Sequence, residues 1–214
     1  GTGISARAML AALDEMGGDA WTAQVVEPND DMRGQAEKAL ADRPDVSVAK
    51  GTAEVLPFAD GDIGLLMAAQ AAHWFDRPKF YAEAKRVLAP GGVMLILFNN
   101  RELYDDPLMA AFEEQVETSV EGYWRTYRSW NLMAELHDLD WPADVTEFVH
   151  PWVWRLTPEA FAGLMLSRSK MMPYKEVHGD AAAEAAILDL ARGFTDADGL
   201  VDVQYKTQAA CVRR

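Results

Sequence analysis

With 214 residues, half of them apolar, the chain is long enough to bury one substantial core. Its 34 acidic residues against 20 basic ones, a formal net charge of −14, repel phosphate backbones and anionic membrane surfaces, which argues against nucleic-acid and membrane partners. The single cysteine, Cys211, excludes an intrachain disulfide and a thiolate metal cluster, and it fits a reducing, cytoplasmic setting.

The opening stretch, GTGISARAMLAALDEM, keeps Ile4, Ala8, Leu10, Ala11 and Leu13 at helical spacing until GGD stops it. A helix is therefore launched straight from a glycine turn. WTAQVVE reads as a short strand ending at Glu27, and PNDDMRGQAEKALADR as a helix started by Pro28 and Asn29. VSVAK is a strand, GTAEVLPFADG a loop, and DIGLLMAA a strand apolar enough to be buried on both faces. RPKFYAEAKRVLA places Phe80, Ala84, Val87 and Leu88 on one helical side, PGG closes it, and VMLILF follows as another buried strand. This alternation predicts a parallel sheet covered on both sides.

After Asn100 the texture changes. Residues 104–130 have helical spacing, are acidic, and carry Tyr123, Trp124, Tyr127 and Trp130 close together. We expect one domain over residues 1–214, with residues 101–150 a helical, aromatic-rich insertion covering the ligand end of the sheet. EFVHPWVWRL reads as a strand, TPEAFAGLMLSRS as a helix capped by Thr157 with Pro158 in its first turn, and AAAEAAILDLARGF as another helix. LVDVQYKTQAACVRR alternates enough to form a final strand.

In open α/β sheets, ligands bind beyond the carboxyl ends of the strands. Four segments converge there. Gly1 and Gly3 lack side chains that would keep the backbone off a ligand, and the helix that follows aims N–H groups at it. Glu27 ends a strand roughly 20 residues later, where a carboxylate accepts hydrogen bonds from ribose hydroxyls in dinucleotide sites; a solvated helix-start acid is the plainer alternative. Thr52, Ala53 and Glu54 precede the apolar Leu56, Pro57 and Phe58, a combination able to hold an adenine edge and cover its face, or simply to anchor a loop. Gln70, His73 and Trp74 follow the next strand, with His73 able to serve as a base near the reacting atoms or as an ordinary surface histidine.

GTGISA, VVEPNDDM, GTAEVLPFADGDIGLLMAAQAAHWFD and AKRVLAPGGVMLILF, in that order and spacing, resemble the class I S-adenosylmethionine-dependent methyltransferases of the type 11 domain. QAAHWFD and HPWVWRLTPEAFAGLMLSRS are most similar to the trans-aconitate methyltransferase-like branch. The resemblance implies a Rossmann-like α/β fold with a mostly parallel seven-stranded sheet flanked by helices, and S-adenosyl-L-methionine as cofactor. It also implies that Gly1 and Gly3 surround the methionine moiety, that Glu27 with the adjoining Pro28 matches the ribose acid, and that Thr52, Ala53 and Glu54 form the adenine-side loop. Gln70 and His73 match the segment next to the transferred methyl, His73 being the catalytic candidate. The family pattern carries a strand and an acid-x-G-x sequence ahead of GTG. None stands before Gly1, so the resemblance implies that the first strand is missing by truncation.

The implied reaction is methyl transfer to a small molecule, with a carboxylate oxygen as the first acceptor to consider and no metal required. A small acid needs arginines to hold it, and Arg125, Arg128, Arg155 and Arg168 are candidates. One rival is a non-catalytic protein that binds the cofactor. Another is a nicotinamide-dependent oxidoreductase, for which Tyr81 and Lys85 have a catalytic spacing but fall inside an amphipathic helix.

Overall fold

The computed structural model describes residues 1–17, 21–101, 105–123 and 130–214. Its helices and strands follow the periodicity of the sequence. Helix α1 (Ile4–Met16) leaves the glycine turn, β1 (Ala23–Val26) leads to α2 (Asp30–Ala39), and Asn29 caps α2 by accepting the Met32 N–H at 2.9 Å. Strands β2 (Val46–Ala49) and β3 (Ile63–Ala69) precede a 3-10 turn at Ala72–Trp74, helix α3 (Arg77–Val87) and the long β4 (Leu88–Arg101). Then come α4 (Pro107–Ser119), α5 (Leu132–His137), β5 (Asp144–Leu156), α6 (Pro158–Leu166), α7 (Met172–His178), α8 (Asp180–Arg192) and β6 (Val201–Arg213).

The described residues form six strands in two sheets, one of order β1-β2 and one of order β3-β4-β6-β5, in place of a seven-stranded sheet. β1 and β2 run parallel in register from Ala23 opposite Val46 to Val26 opposite Ala49. β6 runs against β4, since Arg214 bonds Gly92 while Thr207, earlier in β6, bonds Asn99, later in β4. The division makes β3 an edge strand. It is consequently not buried on both faces: Ala68 is buried but Leu65 is exposed. Centrally placed β4 alternates buried Met94, Ile96 and Phe98 with half-buried neighbours.

Two expected boundaries also shift. The APGG turn is drawn into β4, because the Gly91 N–H donates to the Arg214 carbonyl and the Arg214 N–H to the Gly92 carbonyl. Within the expected helix of residues 104–130, α4 starts only at Pro107, after the N-cap Asp106, and ends at Ser119, the next residue, Val120, having extended backbone. Trp124, Arg125, Tyr127 and Arg128 lie outside the described residues.

By its internal packing the chain divides into two compact units: residues 1–96, 139–146 and 210–214, and residues 97–138 and 147–209. In the first, Phe80, Tyr81, Ala84 and Val87 form the buried side of α3. In the second, Met109, Phe112 and Val116 of α4 pack in one core with Phe161 and Met165 of α6, Tyr174 of α7, and Ala183 and Ile187 of α8. The α6 cap is the expected one, with the Thr157 hydroxyl accepting the Ala160 N–H at 3.2 Å. No described helix is long and apolar enough to cross a membrane.

Candidate functional site

The first unit contains every candidate cofactor residue. Gly3 has φ +86°, a conformation cheap only for glycine, and a Cβ there would stand 3.4 Å from both Ala36 Cα and Leu40 Cδ1. The turn is thus closed tightly against α2. Helix α1 has neither a side-chain cap nor an acid in its first turn, so its leading N–H groups are left by its own side chains to whatever binds the helix start.

Glu27 is only 8% exposed, although it is a carboxylate just beyond a strand. Its own N–H continues the β1–β2 pairing by donating to the Ala49 carbonyl at 3.0 Å. One carboxylate oxygen accepts the Asn29 N–H at 2.7 Å and the other the Gly1 amine. Gly1 and Glu27, far apart in sequence, are therefore in contact, while Pro28 is exposed beside them.

Gly51, which the sequence reading passed over, brings the next loop in. A Cβ there would lie 2.8 Å from Val26 Cγ1, so only glycine lets the loop after β2 approach the end of β1. Thr52 pairs with Val55 in a short bridge, and Ala53 is half-buried. Glu54 accepts the Asp76 N–H at 2.9 Å, tying this loop to the N-cap residue of α3. Burial raises the Glu54 pKa, but the Asp76 N–H, its own N–H and the Thr52 hydroxyl outweigh burial, and the carboxyl lies below its ordinary value. Arg86 fixes the following residues by donating to the Phe58 carbonyl at 2.8 Å and the Leu56 carbonyl at 3.2 Å, while Glu83 accepts the Leu56 N–H at 2.7 Å.

Gln70, the residue after β3, has φ +52°, the left-handed region that costs a non-glycine residue backbone strain. His73 sits three residues on in the 3-10 turn, half-buried, its ring 5.0 Å from that of the exposed Trp74. Tyr81 is only 3% exposed and belongs to the core of α3, whereas Lys85 pairs with Asp140 at 3.3 Å. These placements do not form an oxidoreductase dyad.

The second unit holds a different cluster. Glu113 of α4 has a fully buried carboxylate, facing Arg168 at 3.3 Å, Lys170 at 3.1 Å and the Tyr123 hydroxyl, which donates to it. The Lys170 ammonium lies 4.6 Å from the Tyr123 ring centre, and the Arg168 guanidinium 5.5 Å from that of Phe112. Of the proposed acid-binding arginines, Arg155 is engaged with Asp196, Asp198 and Asp202. Arg125 and Arg128 are outside the described residues, and Arg168 is the one found in a buried polar cluster.

Burial, followed by the charges of Arg168 and Arg101, lowers Lys170 to about 8 despite the opposing pull of Glu113. An unfolded lysine titrates near ~10.4. The depressed folded value means that the unfolded chain binds the proton more tightly between these values, so stability rises with pH across that window and the penalty is complete below it. Urea unfolding through the window should show this rise, and Lys170→Met should abolish it. The paired comparison separates the lysine from Tyr205, whose phenol burial pushes up.

Comparison with known proteins supplies the family context for the first unit. Residues 1–96 match the family described as "Methyltransferase domain". The matched stretch contains Gly1, Gly3, Glu27, the 51–54 loop, Gln70 and His73. A protein of Dictyostelium discoideum named as a methyltransferase is 31% identical over 111 residues, covering 49% of this chain and 39% of that protein. An uncharacterized methyltransferase of Mycobacterium tuberculosis is 35% identical over 77 residues, covering 36% of this chain and 30% of that protein. The chain thus spans less than half the length of these curated relatives.

Among solved structures, a protein of Anaeromyxobacter dehalogenans named as a type II methyltransferase aligns with a TM-score of 0.66 at 19% identity, covering 97% of this chain and 95% of that one. The MccD protein aligns with a TM-score of 0.57 at 15% identity, covering 100% and 86%. These likenesses show that the chain shares the Rossmann-like α/β fold of these structures.

Proposed function

We propose that the chain acts in S-adenosylmethionine-dependent methyl transfer to a small molecule. The observation that carries this reading is the buried Glu27 carboxylate just beyond β1, ordered by the Asn29 N–H at 2.7 Å, within the stretch that matches a methyltransferase domain. A buried acid beside exposed backbone N–H groups fits a ligand with vicinal hydroxyls and a carboxylate tail.

The cofactor supplies an electrophilic methyl carbon; the acceptor lone pair forms the new bond as the carbon–sulfur bond breaks and its electrons remain on sulfur. The protein has to bind, align and exclude water. In this reading Glu27, with Pro28 bounding it, takes the ribose hydroxyls, and Gly1 and Gly3 lie along the methionine moiety. Thr52 and Ala53 line the adenine side, where Glu54 orders the loop through its bond to Asp76. Gln70 and His73 stand beside the transferred methyl.

The acceptor atom we propose is a carboxylate oxygen, following the likeness to the trans-aconitate methyltransferase-like branch. Such an oxygen is already nucleophilic at neutral pH, whereas an alcohol would require a base such as His73. With a carboxylate acceptor His73 acts by positioning beside the transferred methyl, so His73→Ala should lower turnover while leaving S-adenosylhomocysteine affinity within about threefold, less than a 1 kcal/mol change. Unchanged turnover would leave His73 structural.

Calorimetric titration of the purified chain with S-adenosylhomocysteine, and separately with NAD, tests the cofactor assignment. Binding of the homocysteine compound alone is expected. Binding of NAD alone would overturn it. Tight S-adenosylhomocysteine binding with no methylated product across a panel of acceptors would favour the non-catalytic binder.

A further inference from the structure

We infer that two copies of the chain associate through β5, the strand pairing antiparallel with its counterpart about a two-fold axis at Pro151. The contact lies within the second unit and does not depend on the reaction proposed above.

Among the described residues β5 is the outer strand of its sheet. Phe148, Val149, Val153 and Trp154 are 58%, 55%, 45% and 42% exposed, four large apolar side chains within residues 148–154. Apolar residues scattered singly are ordinary at a protein surface. This many together on one edge strand mark an interface.

Alternation along the strand puts Phe148, Trp152 and Trp154 on one face and Val149 and Val153 on the other. The first face is anchored: the Trp152 ring stacks on Tyr205 of β6 at 4.5 Å and 16°, and its indole N–H donates to the Thr207 hydroxyl at 2.9 Å. The Trp154 ring lies 6.2 Å from that of Trp152. Apolar surface is therefore exposed on both faces. A helix or loop laid against the sheet covers only one of them. A strand added at the edge gives each residue of β5 a cross-strand neighbour on its own face, so it covers both.

The residue order selects a second copy as that strand. EFVHPWVWR, residues 147–155, has a similar pattern in both directions from Pro151. Antiparallel pairing about that residue sets Phe148 against the partner's Trp154 and Val149 against the partner's Val153. Aromatic meets aromatic and β-branched meets β-branched, and the symmetry makes each pair twice. His150 meets the partner's Trp152, and Glu147 the partner's Arg155. Glu147 already accepts from Gln208, and Arg155 is engaged by Asp196, Asp198 and Asp202, so the apolar pairs carry the contact.

Pro151 fixes the register. Proline on an edge strand discourages strand addition because it has no N–H for the ladder. Setting Pro151 opposite itself confines that loss to one point, whereas any other register breaks the ladder in two places. Phe148 and Trp154 each leave on the order of 100 Å² to bury, which places the contact at the small end of specific interfaces and its affinity in the micromolar range.

The test is sedimentation velocity of the full chain from about 1 to about 200 μM, a range that brackets such an affinity. Monomer should give way to dimer across it. Val149→Lys and Val153→Glu should each weaken association at least about fivefold, since each change acts twice across the axis. The double variant should recover affinity over either single one, because in this register every lysine faces a glutamate. Circular dichroism checks that the variants fold, and Phe148→Ser, expected to weaken association to the same extent, replaces either single variant that does not.

A chain monomeric throughout the range would overturn the contact and leave β5 to a different partner. A dimer of parent-like affinity in the single variants would place the interface elsewhere and overturn it as well. A double variant no tighter than the single ones would overturn the two-fold register at Pro151.

Discussion

Glu27→Ala should weaken S-adenosylhomocysteine binding by more than tenfold, the largest single-residue effect on affinity expected in this chain. The carboxylate is buried at the end of β1 and meets Gly1 on one side and the Asn29 N–H on the other. Hydrogen bonds to a charged group contribute about 1.5–3 kcal/mol each, and tenfold in affinity corresponds to about 1.4 kcal/mol. Loss of even one ribose contact therefore reaches the predicted threshold. Glu27→Gln should fall between alanine and the parent, since an amide oxygen accepts one bond but carries no charge. Isothermal titration at fixed salt provides the comparison, with far-ultraviolet circular dichroism confirming that α2, whose start Asn29 caps, remains folded. An unchanged affinity in the alanine variant removes Glu27 from the site.

Glu113→Ala should produce the largest loss of stability, about 3–5 kcal/mol, as expected when one partner of a buried ion pair is removed. Its carboxylate is wholly buried, and Arg168 and Lys170 both rely on it. Alanine leaves two cations facing each other in the core and deprives the Tyr123 hydroxyl of its acceptor. Glu113→Gln should cost less, because it preserves the side-chain volume and an accepting oxygen. Urea unfolding at constant pH measures the difference. A loss below about 1 kcal/mol for alanine, the scale of an exposed pair, would show that the cluster is not held through Glu113.

Local rules read much of the architecture correctly. Asn29 and Thr157 are good N-caps because their side-chain oxygens reach N–H groups that a helix start leaves unpaired, and both caps form. The apolar spacing of Phe80, Ala84 and Val87 places all three in the core, and that of the first helix runs through to Met16 as expected. At the candidate site, the order of glycine turn, strand-end acid and loop marked the segments that form contacts. Gly51 had a weaker signal: it stands at a strand end beside the singled-out loop, but nothing local reveals its approach to Val26.

Glu113 left a signal that periodicity contained. It lies four residues after Met109 and three before Val116, so it shares the inward side of α4 with apolar residues, an unusual position for an acid unless cations meet it there. The partners come from residues 168 and 170, beyond any helical repeat. Arg155 and Arg168 likewise look equivalent as single basic residues, yet one is engaged by three aspartates and the other lies against a buried carboxylate.

The amino-acid pattern by itself determined most of the helices and strands, their caps at Asn29 and Thr157, and the alternation typical of an α/β domain, because these depend on spacing and short-range hydrogen bonding. Only the tertiary structure decided the separation into sheets of two and four strands, the extension of β4 through its glycine turn, and the gathering of Glu113 with its cations. Those outcomes depend on backbone hydrogen bonds and charges supplied by residues distant in sequence, whose pairing is selected by the packing of the whole chain.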